Sequence, residues 1–156
     1  MKKTIIALLL LTAITKLSFA QSEIYSEIEK IKQTDTEFSD LSKEKGMKEA
    51  FLSYMDTNGT LLRPYMMPVT GYENVKKLLD EGNTDFTLTW TPLFADVGAS
   101  LDLGYTYGIY EIVFKDESGA LQSRNGTYVS IWKKQPDGKW KFVLDTGNPG
   151  LEPKKE

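Results

Sequence analysis

The hydrophobic period of this chain changes once, near residue 84, and that change constrains the fold more than any other feature. Before it, apolar residues recur at helical spacing; after it, they alternate. From Ser22 to about Lys43, Ile24, Ile28, Ile31, Phe38 and Leu41 follow one another at spacings of four, three, seven and three, which predicts an amphipathic helix with Ser22 as its N-cap. Gly46 breaks that helix, and Met47, Ala50, Phe51 and Tyr54 mark a shorter second one. Asp56-Thr57-Asn58-Gly59 has turn chemistry, and Thr60 to Arg63 suits a short strand before Pro64. A third helix is predicted from about Tyr72 to Asp80, burying Val75, Leu78 and Leu79, with Gly82 ending it.

Beyond the change, Phe86 to Trp90 alternates, and Pro92 places this strand at a sheet edge or a bulge. Leu103 to Lys115 and Leu121 to Gln135 are long, aromatic and β-branched, separated by the turn Asp116-Glu117-Ser118-Gly119. Pro136-Asp137-Gly138 fits a type I turn with Gly in the left-handed position, so Lys139 to Thr146 returns antiparallel. In that geometry Gln135 faces Lys139, Trp132 faces Phe142 and Ser130 faces Leu144. One face then carries Tyr128, Trp132, Trp140, Phe142 and Leu144, and the other Val129, Ile131, Val143 and Asp145. Both faces are substantially apolar, so the sheet needs helices on one side and a subunit partner or other apolar surface on the second. The expected architecture is α+β, with three N-terminal helices packed on one face of a curved antiparallel sheet.

Composition narrows the chemistry. The 156 residues include no cysteine and no histidine. Disulfides, thiol nucleophiles, Ser-His-Asp triads and ordinary Zn, Cu or haem ligand sets are excluded, and acid–base work falls to Asp, Glu, Tyr or Lys. No phosphate-binding Gly loop, EF-hand loop or metal-ligand spacing occurs, so neither cofactor nor metal is expected. Met1-Lys2-Lys3, the apolar run Ile5 to Ile14 and the small residues of Ser18-Phe19-Ala20 read as a secretory signal spanning residues 1–20. The run is about half the roughly 20 residues that span a bilayer. The expectation is an exported protein, periplasmic or secreted, with no membrane association after cleavage. One domain then covers residues 21–148, and a polar tail, 149–156, frays. Cleavage removes three of 19 basic residues and no acid, leaving 16 against 22, a net charge of −6. That balance argues against nucleic-acid binding, which needs a basic footprint.

The order of elements and the run from Gly126-Thr127-Tyr128 through Trp132-Lys133-Lys134-Gln135-Pro136-Asp137-Gly138-Lys139-Trp140 to Asp145-Thr146-Gly147-Asn148-Pro149 resemble the SnoaL-like branch of the nuclear transport factor 2-like superfamily. Gly46 to Tyr54, Trp90-Thr91-Pro92 and Leu101 to Gly108 add to the likeness, which is narrowest with small exported bacterial proteins of undefined function. The resemblance covers nearly all of the chain after residue 20. It implies a cystatin-like, cone-shaped fold with a cavity between sheet and helices, and often a homodimer through the sheet. Members include isomerases, dehydratases, cyclases and binding modules, so fold alone does not choose among them.

Asp35 is the most informative candidate. Positions 24, 28, 31, 35 and 38 share one helical stripe, so a carboxylate sits where the helix presents apolar groups to the sheet. It is a general base or ligand anchor, as an Asp is in ketosteroid isomerase-like members, or else a structural ion pair or a stripe-edge residue reaching solvent. Arg63 is a partner for Asp35, a carboxylate-binding group or an exposed side chain. Asp145 either lines the cavity mouth or forms an Asx-type turn with Thr146-Gly147. Tyr105, Tyr107, Tyr110 and Tyr128, with Trp90 and Trp132, offer apolar lining and a few donors, or plain core. Three readings follow: an exported domain that binds a small apolar or amphipathic molecule, an isomerase or dehydratase using Asp35 as base, and a non-catalytic homodimeric interaction module.

Overall fold

The computed structural model describes the backbone of residues 2–150 and the side chains of residues 21–150. The side chains of the expected leader, and most of the expected tail, lie outside the described residues. Helix α1 (Lys2–Lys45) is followed by α2 (Met47–Tyr54), β1 (Met55–Leu62), β2 (Val69–Thr70), α3 (Tyr72–Glu81), β3 (Phe86–Val97), β4 (Leu103–Lys115), β5 (Leu121–Lys134) and β6 (Trp140–Pro149). The six strands form one sheet in the order β2-β1-β6-β5-β4-β3. All pairings are antiparallel except β1 with β6. Ser22 lies inside α1 and does not cap it, because no residue around it interrupts a helix. Among the described residues, no helix is long and apolar enough to cross a membrane.

Each long strand expected after residue 84 is present. Pro92 marks both features it suggested: β3 is a sheet edge, and the β3–β4 register shifts between Pro92 and Phe94. The free edge of β3 is covered by α1. Ser42 Oγ donates to the Leu88 carbonyl at 2.8 Å, and the Trp90 amide donates to Ser39 Oγ at 2.8 Å. These bonds occupy edge groups that would otherwise invite pairing with another chain.

Two expectations are corrected. The segment Asp56-Thr57-Asn58-Gly59 lies within β1, where the Asn58 amide donates to Asp56 Oδ1 at 2.8 Å and the pairing with β6 is broken between Met55 and Thr60. Its turn chemistry makes a bulge there because the flanking residues both pair with β6. The second correction concerns the last hairpin. Trp132 faces Phe142 as expected, but Ile131 faces Leu144 and Ser130 faces Asp145, so Val143 is an extra residue in β6. Because side chains alternate, one inserted residue moves everything beyond it to the other face. Asp145 therefore joins Tyr128, Ser130 and Trp132 on the helix-covered side, and Leu144 leaves it.

The core lies between the helices and this concave face. Phe38 is its hub: it meets Trp90 edge-on at 4.5 Å and Phe51 at 4.9 Å, and stacks on Phe142 at 5.6 Å. Trp132 is fully buried beside it, with its Nε1 donating to Thr106 Oγ1 at 2.8 Å. At the far end, Glu27 fastens α1 to the β5–β6 hairpin, accepting from Trp140 Nε1 at 3.1 Å and pairing with Lys134 at 2.8 Å.

Candidate functional site

A cavity of about 440 Å³ opens between α2, the segment after β1 and the concave face. Its walls are Met47 and Phe51 from α2, Phe86, Leu88 and Trp90 from β3, Tyr110 and Ile112 from β4, and Tyr128 from β5. Arg63, Pro64 and Tyr65 close one side, and Asp145, Gly147 and Pro149 of β6 the other. It reaches solvent past Tyr65 and Pro149, both exposed. Strand alternation accounts for the lining: residues 86, 88 and 90, then 110 and 112, point the same way from their strands. Small residues make the room. A side chain at Gly126 would strike Tyr110 and the Asn148 carbonyl, so Tyr110 lies flat across β5.

Asp35 is not on this wall. It is fully buried behind it, as its place on the stripe of α1 requires. Tyr128 donates its hydroxyl proton to Asp35 Oδ2 at 2.6 Å, and Trp90 donates Nε1–H to Oδ1 at 2.7 Å. Burial pushes the Asp35 carboxyl up to about 6, while the bonds from Tyr128, Thr106 and Trp90 pull it down and the Asp145 charge raises it. The consequence for the cavity is chemical. Two aromatic side chains with polar ends have those ends drawn back to Asp35, so they offer ring surface to whatever lies in front of them.

The polarity of the cavity collects at Asp145 and Arg63. Asp145 is buried; Ser130 Oγ donates to its Oδ2 at 2.8 Å, and Arg63 Nη1 approaches its Oδ1 at 3.4 Å. Burial raises the Asp145 carboxyl, against the pull of the Arg63 charge and the Ser130 bond. The Arg63 guanidinium lies over the Phe51 ring, 5.1 Å from its centre. Its Nη2 is buried and has no hydrogen-bond partner, and it stands alone in this among the described side chains.

Of the candidates read from sequence, Arg63, Trp90, Tyr128 and Asp145 meet at the cavity. Tyr107 does not: it is exposed on the outer face of the sheet, stacked on Phe94 at 5.3 Å. Odd-numbered residues of β4 point outward there, opposite to Tyr110. Trp132 does not reach the cavity either, being enclosed in the core with its indole N–H spent on Thr106. The pairing of Arg63 is with Asp145, not Asp35. Phe51, Leu88 and Ile112 were missed as lining, because apolar residues in regular elements look the same whether they pack or line a void. A second concavity of about 880 Å³ lies between α1 and the β5–β6 turn, bounded by Glu29, Lys30, Glu37 and Lys139 among others. Arg63 Nη2, the buried side-chain polar atom without a partner among the described residues, is not in it. Among the described residues no group of three or more acidic side chains is placed to hold a metal ion.

Solved structures with this arrangement are numerous. A nuclear transport factor 2-like protein with a cystatin-like fold from Novosphingobium aromaticivorans superposes with a TM-score of 0.67 at 18% identity, over 85% of this chain and 87% of that one. The fold is nuclear transport factor 2-like. A ketosteroid isomerase-like protein from Erwinia carotovora atroseptica matches at a TM-score of 0.64 and 13% identity, over 81% and 98% of the two chains. The association domain of CaMKII from C. elegans matches at 0.60 and 19%, over 80% and 97%. No family model matches the chain, and no curated protein matches it by sequence. At these identities the likeness defines the fold and leaves activity to the site.

Proposed function

We propose that this chain binds a small apolar or amphipathic molecule in the cavity fronted by Trp90 and Tyr128. The observation that carries the reading is a 440 Å³ space with aromatic and aliphatic walls and one charged pair at its end, Arg63–Asp145. That volume and that distribution of polarity suit a ligand of drug-like size. The test is native mass spectrometry of the protein purified from its own host, compared with Leu88→Trp, which fills the space. A bound small molecule lost in Leu88→Trp supports the reading; an unmodified mass in both, with no binding of added apolar probes, removes it.

Catalysis of the isomerase or dehydratase type with Asp35 as general base has less support. Both Asp35 oxygens are engaged, and Tyr128 and Trp90 stand between it and the cavity. A general base needs hydrogen-bond reach to the proton it takes. Asp145, which does line the cavity, is the better placed acid.

A second reading is compatible with the first: a homodimer through the outer face of the sheet. Phe94, Leu103, Tyr105, Tyr107 and Ile109 are all exposed on β3 and β4. A contiguous apolar patch of this kind marks an interaction surface, and the CaMKII association domain has the same fold. Sedimentation of wild type against Tyr105→Lys/Tyr107→Lys tests it: a dimer that the double variant dissociates supports it, and a monomer at high concentration removes it. Residues 1–20 are proposed as a secretory leader, which N-terminal sequencing of the native protein tests by whether the chain starts at Gln21.

A further inference from the structure

Three consecutive large apolar side chains stand in water between β1 and β2: Tyr65 is fully exposed, Met66 49% and Met67 82%. The backbone holds them there. Pro64 and Pro68 restrict the chain on either side, and the Met66 amide donates to the Arg63 carbonyl at 3.2 Å. Tyr65 sits at φ 63°, a left-handed conformation that is costly for a bulky side chain. An apolar triplet held outward at a conformational cost is a contact surface, not a stray piece of core.

Size and charge select the partner. Three side chains offer well under the roughly 800 Å² that each side of a stable protein interface buries, so a second copy or a globular partner gains too little from them. A lipid surface sets no such minimum, because each apolar side chain transferred into it contributes separately. Charge agrees: 22 of the 156 residues are acidic, yet none lies from Thr57 to Tyr72, where Arg63 is the single charge. Arg124 continues the inward-facing row of Tyr128 and Gly126 on β5 and faces cavity-lining Ile112 across the ladder. It is exposed, lies over the Phe114 ring at 5.2 Å, and has no ion pair among the described residues. We infer that this chain docks on a phospholipid bilayer through Tyr65, Met66 and Met67, which enter the boundary between headgroups and acyl chains, with Arg124 set against lipid phosphates. The cavity opens past Tyr65, so a chain docked this way turns its mouth toward the lipid. Such contact needs no helix that spans a bilayer; the expectation of no membrane association looked only at the N-terminal run.

The test is flotation with vesicles of phosphatidylcholine, and of phosphatidylcholine mixed with phosphatidylglycerol, for wild type, Met66→Ser/Met67→Ser, Met67→Trp and Arg124→Gln. All are purified from the native host and share one N-terminus, so differences among them report this surface. Wild type is expected to bind both vesicles. The double serine variant loses at least about tenfold in partitioning on both, the share of two side chains withdrawn from the acyl boundary. Met67→Trp holds or tightens binding, since an indole favours that boundary, and Arg124→Gln weakens binding to the mixed vesicles about fivefold. Met66 and Met67 line no part of the cavity, and Leu88→Trp, which fills it, is expected to float as wild type does, so failure here and failure of the binding reading are separate results. Vesicle binding that is absent in wild type, or unchanged in the double serine variant, overturns the inference. Arg124→Gln at the wild-type level would remove Arg124 from the surface. Sedimentation without lipid gives the rival outcome: self-association that the double serine variant abolishes would assign the triplet to a second copy and overturn docking on lipid.

Discussion

Asp35 and Asp145 are the same side chain, both buried in the same half of the molecule, and they do opposite things. Asp35 is enclosed by neutral donors, the Tyr128 hydroxyl and the Trp90 indole, with no cation beside it among the described residues. Asp145 shares a guanidinium and borders a cavity. The difference lies in what stands on the far side of each carboxyl. Behind Asp35 there is packed helix, so its bonds can only fix the two aromatic rings; beside Asp145 there is open volume, which Asp145 and its partner Arg63 both border. A buried carboxylate is therefore no marker of a site until the space around it is known.

The largest test of that contrast is truncation. Asp35→Ala leaves a hydroxyl and an indole N–H unpaired in the core and should cost about 4 kcal/mol in urea denaturation. Asp145→Ala should cost roughly 1–2 kcal/mol, because water entering the cavity can solvate Arg63. Equal losses would break the comparison.

Titration gives the next effect. The folded-state pKa of Asp35 is raised from 3.8 to about 6, so the folded protein binds its proton more tightly than the unfolded chain. Its contribution to stability is complete below the lower value and is lost as pH rises through the upper one. The stability difference between wild type and Asp35→Asn should fall by roughly 3 kcal/mol between about pH 3.5 and about pH 7. A flat difference would mean that Asp35 is not enclosed as described.

Tyr128→Phe sharpens the same point at about 1.5 kcal/mol. It removes a bond that favours the charged carboxylate, so the pH window of Asp35 should move upward, read from the same denaturation series. The smallest effect is the control: Tyr107→Lys, on the outer face, should change monomer stability by less than about 0.5 kcal/mol.

Much of this was legible beforehand. The change of period near residue 84 set off the four long strands, β3 to β6, because the two repeats place apolar groups on incompatible faces; β1 and β2 lie before it. The bounds of β4 follow from its β-branched and aromatic run, and Pro92 announced the edge of β3 by its missing donor. The stripe position of Asp35 was legible too, since helical geometry leaves position 35 no choice once 31 and 38 are inward. Its role was not, because spacing says which way a side chain points and nothing of what lies beyond it.

The chain's own pattern, then, determined the layers, the strand order of the meander and the inward acid of α1, all of which depend on neighbours a few residues away. What only the tertiary structure decided is the face of Asp145. Val143 is extra in β6 because that strand is paired on both sides, antiparallel to β5 and parallel to a bulged β1, and has to fit both registers at once. That compromise is made between segments some eighty residues apart, and it is what brings Asp145 to Arg63 and gives the cavity its polar end.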